Sequence, residues 1–272
     1  MPELPEVTTT VAGLNEVLPK LVIRDVWTDY FLRTKNKRTD TIKNKKYFDR
    51  FRKEIIGKKV LEAERRGKNV LIHLTHGKTI LIHMKMTGHL LYGAYRKIPN
   101  NKSQTPKEKW VPTENGLLQD SFNQFIHLIF TLSNGKHLAF SDMRKFAKVM
   151  FFETDKRNHV IDLAQLGPEP LENLTFKIFR KQLLKKPTGK IKTVLMDQTV
   201  LAGIGNIYSD EILWQAGIHP ERKISSLKET EIKKIWKTIP TILTQSIKMG
   251  GDSMSDYRNI YGQKGRFQNA HK

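Results

Sequence analysis

The sequence predicts an α+β protein in two parts, an N-terminal antiparallel β-sandwich or barrel opened by one helix and then a helical part. Three observations predict it. Apolar residues recur at helical spacing only near the N-terminus and beyond residue 170, while between these limits they alternate or run in short stretches. Two hairpin turns fall inside the short-run region. A length of 272 residues also exceeds what one compact core commonly supports, which favours two domains.

The first helix rests on Val7, Val11, Leu14 and Leu18, which follow Pro2 and Pro5 and are stopped by Pro19. Strands are expected over residues 22–30, 59–63, 70–74, 79–85 and 90–92. One hairpin turns at Thr75-His76-Gly77-Lys78. The other turns at Ser133-Asn134-Gly135-Lys136, between strands at 125–132 and 137–140, where Asn-Gly suits the positive φ of a type I′ turn. Strands this closely spaced pair antiparallel.

Two polar excursions interrupt the sheet, at 33–59 and 96–120. The first holds twelve Lys or Arg against three Asp or Glu, interleaved with Tyr47, Phe48 and Phe51. It reads either as a nucleic-acid contact or as a solvated insertion, and the second is expected because charge runs usually face water.

The strand pattern ends after Phe152, and Leu166-Gly167-Pro168-Glu169-Pro170 reads as a linker. Helices follow at Phe176, Phe179, Leu183 and Leu184, then at 191–196, 207–216 and 229–247, with Gly217, Pro220 and Gly250-Gly251 as stops. The expected units are 1–155, a linker at 156–170, a helical domain at 171–250, and a polar loop and tail at 251–272.

Lys and Arg number 48 against 27 Asp and Glu, a net charge of +21 that points to a polyanion, nucleic acid first. The absence of Cys removes disulfides, thiolate zinc sites, Fe–S clusters and cysteine nucleophiles. No apolar run approaches the roughly 18 residues of a membrane span, and MPELPEV has neither a basic nor an apolar leader region. A cytoplasmic, nucleoid-associated protein with no membrane partner is therefore expected.

Two features carry chemistry. Removal of Met1 makes Pro2 a secondary amine, and an α-amino group with a pKa of about 8 keeps a neutral fraction that Lys, at about 10.4, does not. Attack by such an amine on a sugar C1′ gives a cationic iminium, an electron sink for elimination, and the adjacent Glu3 offers acid–base catalysis. Pro-Glu before a helix is also ordinary N-terminal helix chemistry. The second feature is Gly203-Ile204-Gly205-Asn206, a Gly-x-Gly turn opening a helix, which either clamps a phosphate or simply turns a tight corner.

Further motifs stand in order along the chain: Arg65-Arg66-Gly67-Lys68-Asn69, His83-Met84-Lys85-Met86-Thr87-Gly88, Asp142-Met143-Arg144-Lys145-Phe146, Leu166-Gly167-Pro168-Glu169-Pro170-Leu171, Met196-Asp197-Gln198, the turn continuing through Tyr208-Ser209-Asp210-Glu211, and Gly217-Ile218-His219-Pro220. With MPELPEV they resemble the bacterial formamidopyrimidine-DNA glycosylase family, which includes endonuclease VIII. The resemblance runs from residue 1 to about 268, and Leu4-Pro5 and the Gly250-Gly251 to Gly265-Arg266-Phe267-Gln268 stretch look more like its oxidised-purine branch.

The resemblance implies that the helical part is a helix-two-turn-helix domain. It implies Pro2 as nucleophile, Glu3 as the acid that protonates the opening deoxyribose, and Lys68 as a phosphate ligand beside the lesion. Met86, Arg144 and Phe146 correspond to residues that fill the gap left by an extruded nucleotide, Arg144 facing the orphaned cytosine. Asn206, Tyr208 and Lys192 correspond to phosphate contacts, His127 to a strand histidine near DNA, and Glu6 to a carboxylate near the flipped base. Ser253 and Tyr257 belong to a stretch corresponding to the loop that covers the lesion.

The expected function is excision of 8-oxoguanine and formamidopyrimidines from duplex DNA, with β,δ-elimination at abasic sites, by a monomer. The family continues past the equivalent of 265–271 into a zinc finger with four Cys ligands, whose arginine grips phosphate. This sequence reaches Lys272 without a Cys. No metal or other cofactor is therefore expected, DNA binding is expected to be weaker, and the second reading is a non-catalytic protein that binds lesions or abasic sites.

Overall fold

A computed structural model describes residues 1–31, 40–99, 108–254 and 256–271. Helix α1 (Leu4–Val17) carries Pro5 in its first turn, where a missing N–H costs little. Strand β1 (Ile23–Thr28), helix α2 (Lys45–Ile55) and strands β2 (Val60–Arg66), β3 (Asn69–Leu74), β4 (Lys78–His83) and β5 (His89–Gly93) follow. A hairpin of β6 (Tyr95–Pro99) and β7 (Glu108–Pro112) precedes β8 (Ile126–Leu132), β9 (His137–Ser141) and β10 (Lys148–Glu153). The second half contains α3 (Ile161–Ala164), α4 (Phe176–Leu183), α5 (Ile191–Met196), α6 (Asn206–Ala216) and α7 (Glu229–Lys248).

Two four-stranded antiparallel sheets, ordered β1-β8-β9-β5 and β10-β4-β3-β2, form a sandwich around one apolar core. The strand period of two decides the layering. Val70, Ile72 and Leu74 of β3 face that core, whereas Leu71 and, from β4, Leu81 point outward beneath Val160 and Leu163. Cover on both faces explains why Val70, Leu71 and Ile72 of β3 are apolar without alternation.

The helical half has its own core, including Phe179, Leu195, Tyr208, Ile235 and Leu243. Leu4 joins this core while Val7 and Leu14 join the sandwich, so α1 lies between the two. The C-terminal tail also touches both. Ile260 packs into the sandwich core, its carbonyl accepting from Tyr92 N at 2.7 Å, and Phe267 packs into the helical core.

The two polar excursions are corrected by the fold. Residues 32–39 lie outside the described residues, but residues 45–55 of the basic stretch form α2 and bury Phe48, Phe51 and Ile55 in the sandwich. Spacings of three and four put those side chains on one face and leave the cations on the other, so this helix is part of the fold and not a wholly solvated insertion. From the second excursion, Trp110 and Leu118 pack with Tyr95 in a small core beside the β6–β7 hairpin; residues 100–107 lie outside the described residues. The 166–170 segment is packed as well, Gly167 N donating to Gln198 O at 2.8 Å and Glu169 being buried.

Candidate active site

Glu3 precedes α1 and is almost wholly buried. Its carboxylate reaches the start of α6, Oε2 accepting from Gly205 N at 2.6 Å and Oε1 from Ile207 N at 3.0 Å. These are amides that a helix N-terminus leaves without intrahelical partners. The Gly-x-Gly turn therefore holds a carboxylate of the chain itself, which neither the phosphate-clamp nor the tight-corner reading anticipated. Only glycine fits at 205, because a Cβ there would lie 2.4 Å from Glu3 Cδ and 2.5 Å from Lys68 Nζ.

Burial pushes the Glu3 carboxyl up, against the pull of the Lys68 ammonium and the α6 amides. The same burial pushes Lys68 down, against the attraction of Glu3 and Glu6. An acid raised in this way can hold a proton for donation.

Pro2 lines a cavity of about 20 Å³ together with Glu6, Met86, Ile207, Asp252 and Tyr257. The Glu6 carboxylate accepts from Glu3 N at 2.8 Å, Asp252 N at 2.7 Å and the Tyr208 hydroxyl. Burial pushes it up to about 7, opposed by those donors. Tyr257 Oη donates to Glu6 O at 2.9 Å, and Ser253 Oγ donates to Tyr257 O at 2.9 Å while accepting from Gly265 N at 2.8 Å. Glu6, Ser253 and Tyr257 thus share one network on one side of the Pro2 cavity.

Tyr208 requires a correction. It is fully buried, and its hydroxyl lies between Glu6 and Ser246, the latter at 2.6 Å. A phosphate cannot reach it; the interior of the helical half places it to orient Glu6. Asn206, by contrast, is exposed in the first turn of α6. Lys192 is half-buried and paired with Asp210 at 2.8 Å.

Met86 and Phe146 are large apolar side chains left 44% and 48% exposed, and the Arg144 guanidinium lies 4.6 Å from the centre of the Phe146 ring. Exposed apolar side chains grouped in this way mark a contact surface. Each follows a lysine in the left-handed region, Lys85 at φ 58 and Lys145 at φ 52. His127 is held in place, Nδ1 lying 2.8 Å from Asp29 Oδ1, and Asp29 also pairs with Lys145 at 3.1 Å.

Sequence reasoning missed three supporting residues. The Asp142 carboxylate is fully buried and accepts from Tyr30 Oη at 2.8 Å, Thr87 Oγ1 at 2.6 Å and Ala147 N at 2.9 Å. Glu169 accepts from Arg65, from Arg66 at 2.7 Å and from Gly67 N at 2.7 Å, and so holds the turn that carries Lys68. His83 is pushed down to about 3 by burial and by Lys85 and Lys68; Lys85 N donates to its Nδ1 at 3.0 Å, leaving the proton of the neutral ring on Nε2. Asp142 and His83 stand inside motifs read from the sequence, and a polar residue at the end of an apolar strand was the available signal.

Residues 1–149 match the family described as formamidopyrimidine-DNA glycosylase N-terminal domain, and residues 166–258 match the formamidopyrimidine-DNA glycosylase H2TH domain. The formamidopyrimidine-DNA glycosylase of Pelotomaculum thermopropionicum is 36% identical over 268 residues, which cover 98% of this chain and 86% of that one. The Lactococcus lactis Fpg in complex with an abasic-site DNA superimposes with a TM-score of 0.78 at 29% identity, covering 99% of this chain and 86% of that chain. A MutM bound to DNA containing carbocyclic 8-oxo-G gives 0.77 at 30% identity, with 99% and 86% coverage. With both halves matched in order, the chain belongs to the formamidopyrimidine-DNA glycosylase family.

Proposed function

We propose that this chain is a DNA glycosylase with abasic-site lyase activity, removing 8-oxoguanine and formamidopyrimidines from duplex DNA. One observation carries the reading: Pro2 lines a cavity, and the next residue is a buried carboxyl of raised pKa seated against the N-terminus of α6 beside Lys68. The related proteins crystallised with abasic-site DNA and with 8-oxo-G DNA support duplex DNA as the partner.

Once Met1 is removed, the Pro2 nitrogen bonds to C1′ of an extruded nucleotide as the C1′–O4′ bond breaks, and O4′ takes the Glu3 proton, leaving a Glu3 carboxylate. The nitrogen then loses its proton to the base, and its lone pair expels the base with the glycosidic electron pair, leaving an iminium at C1′. Solvent takes a C2′ proton to give an enamine, which expels the 3′ phosphate as the iminium re-forms, and loss of the C4′ proton to solvent lets a second elimination expel the 5′ phosphate.

Met86, Arg144 and Phe146 replace the extruded nucleotide in the stack, which offsets part of the unstacking cost. Lys68, Lys192 and Asn206 offer donors to phosphates. The 272 residues contain no Cys, and the described residues bring together no group of three His, Asp or Glu, so they do not fit the four-thiolate zinc site of the family.

Borohydride trapping on an 8-oxoguanine:cytosine duplex tests the proposal. A covalent adduct is expected from the wild type and its near-complete loss from Pro2→Gly. No wild-type adduct at low salt overturns the enzyme reading, and tight binding without an adduct would make the chain a lesion-binding protein instead.

A further inference from the structure

We infer that Asp142 and Thr87 are positioning residues that couple the two gap-filling turns, so that Met86 and the Arg144–Phe146 pair enter a duplex as one unit. The inference rests on the proposed action on duplex DNA and deepens it.

Met86 lies between β4 and β5, whereas Arg144 and Phe146 lie between β9 and β10. The two turns meet at one hydroxyl. Thr87 Oγ1 donates to Asp142 Oδ1 at 2.6 Å and accepts from Arg144 N at 3.2 Å. Asp142 Oδ2 accepts from Ala147 N at 2.9 Å, which closes the turn holding Arg144 and Phe146 onto itself, and from Tyr30 Oη at 2.8 Å, which ties that turn to the end of β1. Asp142 is fully sequestered and Thr87 is 8% exposed.

A buried carboxylate requires its donors, and hydrogen bonds to a charged acceptor are the stronger kind. Moving either turn alone would strand a lone pair of Asp142 or the hydroxyl of Thr87. Gly88 reinforces the constraint, since a Cβ there would lie 2.4 Å from Met84 O and 2.5 Å from Phe140. In the proposed function Met86 and Phe146 fill one and the same gap. Turns already tied together avoid ordering two loops separately, which is the gain expected of preorganisation.

The test compares Thr87→Val with Tyr30→Phe. The first removes the hydroxyl between the turns at nearly constant volume; the second removes a donor from the same carboxylate without touching the Met86 turn. Single-turnover base release is measured on an 8-oxoguanine:cytosine duplex, and strand cleavage on a single-stranded oligonucleotide with a ready-made abasic site, which has no orphaned base to displace. Thr87→Val should slow the duplex reaction about tenfold or more, the worth of one hydrogen bond to a charged group, and slow single-strand cleavage by a clearly smaller factor. Asp142→Asn should show the same split more strongly, and Tyr30→Phe should lower the melting temperature without the split.

Equal losses on both substrates, or a Tyr30→Phe split as large as that of Thr87→Val, would reduce the pair to a structural role and overturn the inference. A wild type inactive on both substrates defeats the proposed function and the inference with it. An active wild type with an unchanged Thr87→Val variant defeats the inference alone.

Discussion

Glu3 and Gly205 meet across the boundary between the sandwich and the helical half, the Glu3 carboxylate accepting the Gly205 amide at 2.6 Å over a sequence separation of 202 residues. The acid is therefore seated by the partner domain. The seat exists because residue 205 has no side chain. Gly205→Ala would place a methyl group against Glu3 and Lys68, two side chains with no room to retreat. It should destabilise the fold by about 1–3 kcal/mol and abolish most base excision. Thermal unfolding and a trapping assay check it, and full activity would show that the carboxylate does not need this seat.

Glu3→Gln keeps the shape of the side chain and removes the proton it donates. Base release from an 8-oxoguanine duplex should fall by about 10²–10⁴-fold, the usual contribution of a positioned acid. Cleavage at a ready-made abasic site should fall less, because that sugar equilibrates with an open aldehyde that an amine attacks without acid-assisted ring opening. Equal losses in the two assays would contradict the assignment of Glu3 to ring opening.

Glu6 makes stability depend on pH. Its folded pKa is raised to about 7 from a usual 4.5, so the folded state binds more protons than the unfolded state between those values. Its stabilising contribution is full below about pH 4.5 and is lost as pH rises through about 7, a change of roughly 3 kcal/mol. Burial raises Glu3 in the same direction and adds to the trend. Urea unfolding of wild type and Glu6→Gln across this range should show the wild-type advantage shrinking with rising pH. A pH-independent difference would mean that Glu6 titrates at its ordinary value.

Much of this architecture is legible in the sequence, and the limits have physical causes. The α5 helix at 191–196 follows directly from its apolar pattern, and Met86, Arg144 and Phe146, singled out by motif, are exposed. Periodicity reports which face of an element is buried. It fails at α2, where a high charge density hides the Phe48, Phe51 and Ile55 stripe. It is silent about Tyr208 as well, because motif position says nothing of whether a hydroxyl faces solvent or Glu6. Contacts between distant residues, Asp142 with Tyr30 or Glu3 with Gly205, leave no local trace.

Glu169 is predicted to hold Lys68 in place indirectly. Its carboxylate, 7% exposed, binds Arg65, Arg66 and Gly67 N, and Lys68 is the next residue. Glu169→Ala leaves Arg65, itself 9% exposed, with Glu172 at 3.3 Å and Gly67 O at 3.2 Å but without its buried partner, and losing those hydrogen bonds to a charged acceptor costs about 1.5–3 kcal/mol. Chemical denaturation should register that loss. Glu169→Gln retains an acceptor for the Gly67 amide and should recover part of the stability.

The cavity beside Pro2 sets the final expectation. With Met1 among its lining residues the cavity of about 20 Å³ accommodates little more than one water molecule, so a nucleobase enters only once Met1 is gone and the wall made by Asp252 and Tyr257 withdraws. Ser253 Oγ fastens that wall by joining Tyr257 O to Gly265 N, and the amide of Asp252 is fastened to Glu6. Ser253→Ala removes two neutral hydrogen bonds and should favour opening by about 1–2 kcal/mol. Hydrogen exchange should then quicken at the amides of Asp252 and Gly265 while the α7 amides stay protected. If exchange at Gly265 is unchanged, the wall is held by Glu6 and Asp252, and Glu6→Gln should release it instead.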